Sequence, residues 1–300
     1  MRNAFINTVL DACAQREDIF IISGDAGLGV FDDFKERYPQ RFLNLGVAEQ
    51  NMTGFAAGLA MTGFKVVVYN IIPFILYRCY EQVRNDICYQ ELPVILVGIG
   101  SGVTYAPMGM SHYAVEDIGI ASTLPNLQVL SPCDPVEARC AANHALAASQ
   151  PVYVRLAKRG EPDLHPGKIE DIALPQVLRE GEQVALLCHG SITEEVLKAH
   201  AMLVAEGCCP LLVSVPMVQP LPVEQLRNLL GGMRAVIVVE EHYRQCGLGA
   251  AVAAQLSLAC PIIKLGLPER FIHEIRDTAG MRSQFGLDAG SIVQAVMQCR

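Results

Sequence analysis

Short apolar runs alternate with helical or turn-forming sequence through the first half of the chain. Runs of this length, separated by helices, are typical of βαβ units whose parallel strands are covered on both faces. We therefore predict an α/β fold with a mainly parallel sheet flanked by helices. Its strands are expected at residues 19–23, 65–69, 94–98, 128–130 and 152–156.

The alternation of apolar runs and helical sequence is interrupted near the middle of the chain and resumes in the second half. The stretch 158–175 is dense in proline, glycine and charge and has no apolar periodicity, which is typical of a domain linker. We therefore predict two α/β domains, residues 1–160 and a smaller one at 179–300, joined by a linker at 161–178. The second domain is expected to contain strands at 183–188, 210–215, 234–240 and 261–265 and helices at 191–206, 223–230, 248–258 and 289–298.

Composition excludes several functional classes. No uncharged apolar run reaches the roughly 18 residues that a membrane helix needs, and acidic residues near the start are unlike a signal peptide. A net charge of -8 without a Lys/Arg cluster argues against nucleic acid as a partner. The 11 cysteines include no CxxC pair, so we predict neither a disulfide framework nor a metal site. We expect a cytoplasmic protein whose partners are small molecules and other proteins.

One acidic residue, Glu49, stands where an apolar helix begins. Residues 43–45 predict a short strand, Gly46 predicts a turn, and 47–61 predicts a buried helix whose polar residues lie near its start. A carboxyl group in that place can be an N-terminal capping charge. It can also have a raised pKa and stay protonated, so that it donates a hydrogen bond. The local sequence leaves both interpretations open.

Two further segments carry candidate site residues. The aromatic residues Phe74, Tyr77 and Tyr80 are spaced by three, which places them on one side of a helix. Such a stripe is either core packing or a platform on which a flat heteroaromatic ring stacks. The Gly-rich loop 100–117 follows a strand and contains His112, which is well placed for proton transfer because ligands bind at the carboxyl ends of strands. A capping or surface role for His112 is equally compatible with the sequence.

Two polar segments are better explained by structure than by chemistry. The segment SGDAGLGVF at 23–31 lacks the spacing of a phosphate loop, and no pair of asparagines follows it at metal-ligand distance. Asp25 is therefore interpreted as a turn or capping residue. Glu240, Glu241 and His242 resemble a small anion or metal site at a strand end, but structural turn chemistry is favoured there.

Taken together, these segments resemble the transketolase family of thiamine diphosphate enzymes. GVAEQNM is similar to the family element whose glutamate bonds N1′ of the aminopyrimidine, which corresponds to Glu49. PFILYRCY is similar to the aromatic cradle of that ring, which corresponds to Phe74, Tyr77 and Tyr80. The resemblance implies that a protonated Glu49 favours the tautomer of the cofactor that removes its own C2 proton.

The same resemblance implies a substrate site. MGMSHYAVED is similar to the family's substrate-site segment, so His112 is expected to shuttle protons or bond substrate oxygens. VYVRLAKRGEP resembles the end of the sheet where an arginine holds a substrate phosphate, which corresponds to Arg159. The run LPNLQVLSPCDPVEA, with PNL, P and D in the family order, extends the match.

The resemblance covers only half of the usual enzyme. In the family, a separate N-terminal domain with a GDG signature and a downstream asparagine holds the diphosphate and its metal, and neither motif occurs in this sequence. We therefore expect the C-terminal, β-like subunit of a split transketolase, active with a separate diphosphate-binding subunit in an α2β2 assembly. Thiamine diphosphate and Mg²⁺ are the implied cofactors, held mainly by that partner.

Three departures from the family pattern bear on the substrate. Met108 stands where the family has an aspartate that contacts the sugar acceptor, and Gly100 stands at the position of a phosphate-binding histidine. The acidic residue of the family's ADL element is Gly27 here. Fewer polar contacts to a phosphosugar remain, so we predict ketol transfer on an unusual or unphosphorylated sugar, or from a 2-oxoacid donor.

Other functions share parts of this pattern. The β subunit of a 2-oxoacid dehydrogenase E1 component has the same layout and cofactor chemistry, although the SHYAVED segment favours transketolase. A deoxyxylulose-phosphate synthase fragment is disfavoured because the Gly-rich loop lacks that family's arginine. A non-catalytic scaffold subunit is disfavoured by the intact Glu49 and the aromatic triad.

Overall fold

Two mainly parallel sheets flanked by helices form the protein in a computed structural model that describes residues 1–27, 29–158 and 160–299. The predicted α/β fold class is confirmed. Within those ranges the strands are β1 (Ile19–Ser23), β2 (Phe42–Asn44), β3 (Lys65–Ile71), β4 (Val94–Ile99), β5 (Gln128–Leu130), β6 (Val152–Leu156), β7 (Gln176–Arg179), β8 (Val184–Cys188), β9 (Leu211–Ser214), β10 (Met217–Gln219), β11 (Ala235–Tyr243) and β12 (Ile262–Leu267). The α-helices are α1 (Arg2–Cys13), α2 (Asp32–Arg37), α3 (Glu49–Met61), α4 (Tyr80–Gln82), α5 (Asp117–Ala121), α6 (Pro135–Ala147), α7 (Thr193–Ala205), α8 (Val223–Leu230), α9 (Leu248–Gln255), α10 (Thr278–Gln284) and α11 (Ala289–Met297). In the part of the chain so described, no helix combines the length and apolar character that a membrane crossing requires.

The first sheet gathers the candidate site segments at one edge. Its strand order is β10-β5-β6-β4-β3-β1-β2, and β1 to β6 pair in parallel. The carboxyl ends of β2, β3 and β4 therefore lie at the same edge of the sheet. From those ends the chain continues to Glu49, to the aromatic segment at Phe74 and to the loop that contains His112. The topology alone brings these three segments to one side of the domain.

One strand from the second half of the chain, β10, forms an edge of the first sheet. In the second sheet the strand order is β12-β11-β8-β9-β7, with β7 antiparallel to β9. Strand β7 lies at the end of the predicted linker and was not expected from the sequence. Strand β10, also unexpected, comes from the second half but pairs antiparallel with β5 of the first sheet. The division into 1–160 and 179–300 remains our proposal for the domain boundaries.

A buried charged network joins the two sheets. Arg155 on β6 is 2% exposed and donates from Nε to Asp117 Oδ2 at 2.7 Å, and the hydroxyl of Tyr153 donates to the same oxygen at 2.7 Å. Nη2 of Arg155 also donates to the main-chain oxygen of Glu241 on β11 at 3.1 Å. Its one guanidinium therefore bonds groups from both halves of the chain.

The acidic side chains on β11, Glu240 and Glu241, bond to other groups of the protein. Glu240 accepts hydrogen bonds from the backbone amides of Leu248 and Gly249, at 2.8 and 3.0 Å, and so caps the start of α9. Glu241 Oε1 accepts a hydrogen bond from Arg282 Nε at 2.7 Å. These contacts support the structural interpretation of the segment over a ligand site.

Candidate functional site

Glu49 lies where the sequence placed it, at the first residue of α3. It is 5% exposed, and the turn before it is set by Gly46, whose φ of 65° suits glycine. One contact was not predicted. Arg78 donates from Nη1 to Glu49 Oε2 at 2.8 Å, so the carboxyl group has a cationic partner. The side chain of Arg78 is 45% exposed, which leaves it free to move aside.

The aromatic segment has a helical form that the sequence did not indicate. Residues Pro73–Tyr77 form a π-helical turn, and the amide of Arg78 donates to the carbonyl of Pro73 at 3.1 Å. A π-turn closes from residue i to i+5, so each residue advances by a smaller angle than in an α-helix. The guanidinium of Arg78, four residues after Phe74, lies over the ring of Phe74, 4.5 Å from the ring centroid.

The three aromatic residues of the predicted stripe have different partners, and their role as a platform for a flat ring stays a prediction. The hydroxyl of Tyr77 donates to Glu116 Oε2 at 3.0 Å, and burial raises the pKa of both groups. The hydroxyl of Tyr80 shares a hydrogen bond with Thr123. Among the described residues, only Phe74 of the three makes a ring contact with the loop that carries His112.

His112 lies in the helical turn Met110–His112, after β4, and faces the ring of Phe74. The two ring centroids are 5.3 Å apart with their planes at 74°. Ser111 Oγ lies 3.0 Å from His112 Nδ1, which orients the imidazole. Desolvation lowers the pKa of His112, so the neutral imidazole persists to lower pH than usual. A neutral imidazole beside an aromatic face is suited to accepting a proton from a bound substrate.

The region expected to bind a substrate phosphate follows β6. Arg159 lies outside the described residues. The Nζ atom of its neighbour Lys158 lies 4.9 Å from the ring centroid of Tyr105, and that ring lies 5.9 Å from His112. A Cβ atom added at Gly100 would overlap the ring of Tyr105. Tyr105 thus fills the space of the side chain that Gly100 lacks.

The arrangement suits one kind of ligand. A guanidinium is planar and carries N–H donors, and that of Arg78 lies over Phe74 while it bonds Glu49. A planar heterocycle has the shape to lie in the same place, with a ring nitrogen that accepts a hydrogen bond from Glu49 when that carboxyl group is protonated. The ring of His112 also contacts that of Phe74, with the centroids 5.3 Å apart.

Three contributors to this arrangement were not predicted from the sequence: Arg78, Tyr105 and Lys158. Arg78 stands four residues after Phe74 inside the aromatic segment, a spacing at which side chains of a helical segment meet, and its guanidinium lies over that ring. Tyr105 could have been found from Gly100, because a ring in the same loop can fill the space left by a glycine. Lys158 precedes Arg159 and carries the same charge, so the sequence does not show which of the two contacts a substrate phosphate.

Comparisons with known proteins match both halves of the chain. Residues 1–161 match the family model described as transketolase, pyrimidine binding domain, and residues 175–292 match the one described as transketolase, C-terminal domain. The two matches follow the order that the sequence predicts.

Individual relatives match over nearly their whole length. A subunit of the apulose-4-phosphate transketolase of Actinobacillus succinogenes is 32% identical, over 99% of this chain and 97% of that protein. The subunit of the same name from Phocaeicola vulgatus is 30% identical, over 99% of this chain and 96% of that protein. A solved structure described as a split gene transketolase, inactive beta4 tetramer, superposes with a TM-score of 0.88 at 31% identity, over 99% of this chain and 97% of that one.

Proposed function

Since the chain belongs to the transketolase family and matches single subunits of split transketolases over 99% of its length, we propose that it is the β-like subunit of such an enzyme. The reaction is the transfer of a two-carbon ketol unit between sugars. The observation that carries the proposal is the series of contacts that runs from Glu49 through Arg78 and Phe74 to His112. These relatives do not favour the β subunit of a 2-oxoacid dehydrogenase E1 component.

Members of the family use thiamine diphosphate, and the residues present fit its aminopyrimidine. The fit rests on the way the flat guanidinium of Arg78 lies over Phe74 and bonds Glu49. In the working enzyme Glu49 would bond the ring nitrogen N1′ and Phe74 would contact the ring face, with Arg78 moved aside. The cofactor supplies the electron sink for C–C cleavage when it is bound.

The remaining chemistry falls to His112. Its imidazole is oriented by Ser111 and is kept neutral by desolvation, so it can take a proton from a substrate hydroxyl and later return it. Lys158, beside Tyr105, would supply a positive charge near the same substrate. Arg159 is retained as a proposed phosphate contact.

A partner chain completes the proposal. The two relatives of matching length are each named as one subunit of an enzyme, which supports a second chain that brings the diphosphate-binding domain and Mg²⁺. Active sites between two kinds of chain would give an α2β2 complex.

The substrate is proposed to be an unusual ketose. The relatives named above act, by their names, on apulose 4-phosphate. With Tyr105 in the space beside Gly100 and Met108 exposed at 57%, few polar groups are available for an ordinary pentose phosphate. Lys158 is compatible with a phosphate placed differently.

The direct test is reconstitution with the diphosphate-binding subunit. The purified chain alone is expected to show no ketol transfer, and the mixture is expected to be active with thiamine diphosphate and Mg²⁺. Apulose 4-phosphate, unphosphorylated ketoses and xylulose 5-phosphate should be compared as donors by their kcat/KM values. Full turnover by the chain alone would contradict the split enzyme, and a preference for xylulose 5-phosphate with ribose 5-phosphate would contradict the substrate proposal.

Replacing His112 by Asn is expected to lower kcat/KM for the sugar donor by about 10²-fold, in the range of a lost general acid or base. Affinity for thiamine diphosphate should not change, because His112 faces the substrate. Since desolvation lowers the pKa of His112, the wild-type activity should fall only at a pH below the ordinary histidine value, as the imidazole gains its proton.

The measurement is a pH profile of kcat/KM for the reconstituted enzyme, with His273→Asn as the control. His273 is an exposed histidine in another part of the chain. An acid limb that is unchanged in His112→Asn would exclude His112 as the titrating group.

A further inference from the structure

We propose that Cys133, Glu137 and His165 bind one Zn²⁺ ion at the start of α6. Ligand atoms from the three side chains all lie within 4.8 Å of one another, and His165 Nε2 is 3.6 Å from Glu137 Oε1. Cys133 is 1% exposed, Glu137 is fully buried, and the side chain of His165 is 6% exposed. The cluster lies outside the site for the planar ring.

Two ligands are fixed by the way α6 begins. Asp134 caps the helix, because its Oδ1 accepts from the amide of Glu137 at 2.8 Å. Glu137 Oε2 accepts in return from the amide of Cys133 at 2.6 Å, which resembles a capping box with the return bond on the residue before the cap. This hydrogen bond occupies Oε2 of Glu137. The other carboxylate oxygen, Oε1, is directed at His165.

The third ligand is oriented by Asp134. Its Oδ2 lies 3.0 Å from His165 Nδ1 and also accepts from the backbone amides of Leu164 and His165. With Nδ1 bonded to a carboxylate, Nε2 faces the cluster. Metal-binding histidines are held in this way, by a carboxylate on the nitrogen that does not bind the metal.

The two facing atoms are unpaired in the described part of the chain. Glu137 Oε1 and His165 Nε2 are buried and have no hydrogen-bond partner among residues 1–27, 29–158 and 160–299. The side chain of Ser214, on β9, lies close to both Cys133 and Glu137. Unpartnered buried polar atoms are rare, and each costs free energy. A cation between them would satisfy both facing ligands.

The donor set selects zinc. A thiolate, an imidazole and a carboxylate suit Zn²⁺, and bonds of about 2.0–2.3 Å place neighbouring ligands roughly 3.3–3.6 Å apart. The separation of 3.6 Å between Glu137 and His165 already meets this requirement. On binding, the thiol of Cys133 gives its proton to solvent, and water fills the fourth position. The ion would tie His165, in the segment between the sheets, to α6.

No metal site was predicted from the sequence, because the third ligand lies in a different segment and no metal-ligand spacing is visible. The alternative to a metal is a protonated His165 between two carboxylates. Although burial lowers it, the hydrogen bond to Asp134 raises the pKa of His165 above its ordinary value. The two explanations can be distinguished by measurement, because only the metal site binds Zn²⁺ through the Cys133 sulfur.

The test uses the full chain after removal of metals with a chelator. Equilibrium dialysis is expected to give one Zn²⁺ per chain, and Co²⁺ in its place should show a thiolate-to-cobalt charge-transfer band. Cys133→Ser is expected to abolish that band and to weaken Zn²⁺ binding by at least about tenfold, with a similar loss of affinity in His165→Gln. Zn²⁺ should raise the Tm of the wild type but not of these variants.

Cys140→Ser is the matched control, since Cys140 lies on the same helix and is not a proposed ligand. It is expected to bind Zn²⁺ as the wild type does. The absence of a stoichiometric site in the wild type, or equal binding by Cys133→Ser, would overturn the proposal. If Cys133→Ser does not fold, the wild-type Co²⁺ spectrum decides, because a spectrum without a thiolate band excludes the site.

Discussion

Replacing Glu49 by Gln is expected to lower kcat of the reconstituted two-subunit enzyme by about 10²–10⁴-fold, the range for loss of a positioned acid or base. Glutamine keeps the shape of the side chain and can still bond a ring nitrogen, but it cannot exchange a proton. The fold should survive, because the lost partner, Arg78, is 45% exposed and can be solvated. Activity and calorimetric binding of thiamine diphosphate, measured on the same complex, separate catalysis from cofactor affinity.

Glu81→Gln is the matched control for this prediction. Glu81 is an exposed glutamate three residues after Arg78, and its loss should leave kcat unchanged. If the Glu49→Gln complex retained activity within about threefold of the wild type, Glu49 would have no part in the chemistry, and the scaffold interpretation would gain support. A Glu49→Gln chain that failed to assemble with its partner would be detected by size-exclusion chromatography before any assay.

The sequence was most informative where strands are buried on both faces. Strands β1, β5 and β6 begin and end at the predicted residues, because each is a short, mostly apolar run between turn-forming or helical segments. Strands β7 and β10 were missed because they are short edge strands, of 4 and 3 residues, with an antiparallel partner. What makes them strands is a partner far away in the chain, which local periodicity does not report.

The residues of the candidate site also divide into those that the sequence places and those that it does not. Glu49 and His112 could be placed from the chain alone, since each follows a predicted parallel strand and the carboxyl ends of those strands share an edge. The π-helical turn at Pro73–Tyr77 could not, because its hydrogen bonding leaves no periodic signal in five residues. The contact of Asp134 with His165 could not be anticipated either, since it depends on how the segment between the sheets returns to α6.

A second large effect is expected for the buried pair that joins the sheets. Asp117→Asn should destabilise the protein by about 3–5 kcal/mol, because it removes the counter-ion of a buried arginine. Arg155 is 2% exposed and its Nε donates to Asp117 at 2.7 Å, so the remaining charge has no access to water. Chemical denaturation of the full chain measures the change, and Asp33→Asn at an exposed site is the control.

The double variant Asp117→Asn/Arg155→Met shows whether charge is the cause. If the loss comes from an unpaired guanidinium, removing that charge as well should recover part of the stability lost in Asp117→Asn, because an apolar replacement needs no counter-ion. If it comes from the lost hydrogen bond of Tyr153, which donates to the same oxygen at 2.7 Å, the double variant should be no more stable than the single one. A cost below about 1 kcal/mol for Asp117→Asn would mean that the main-chain oxygens around Arg155 suffice to hold its charge.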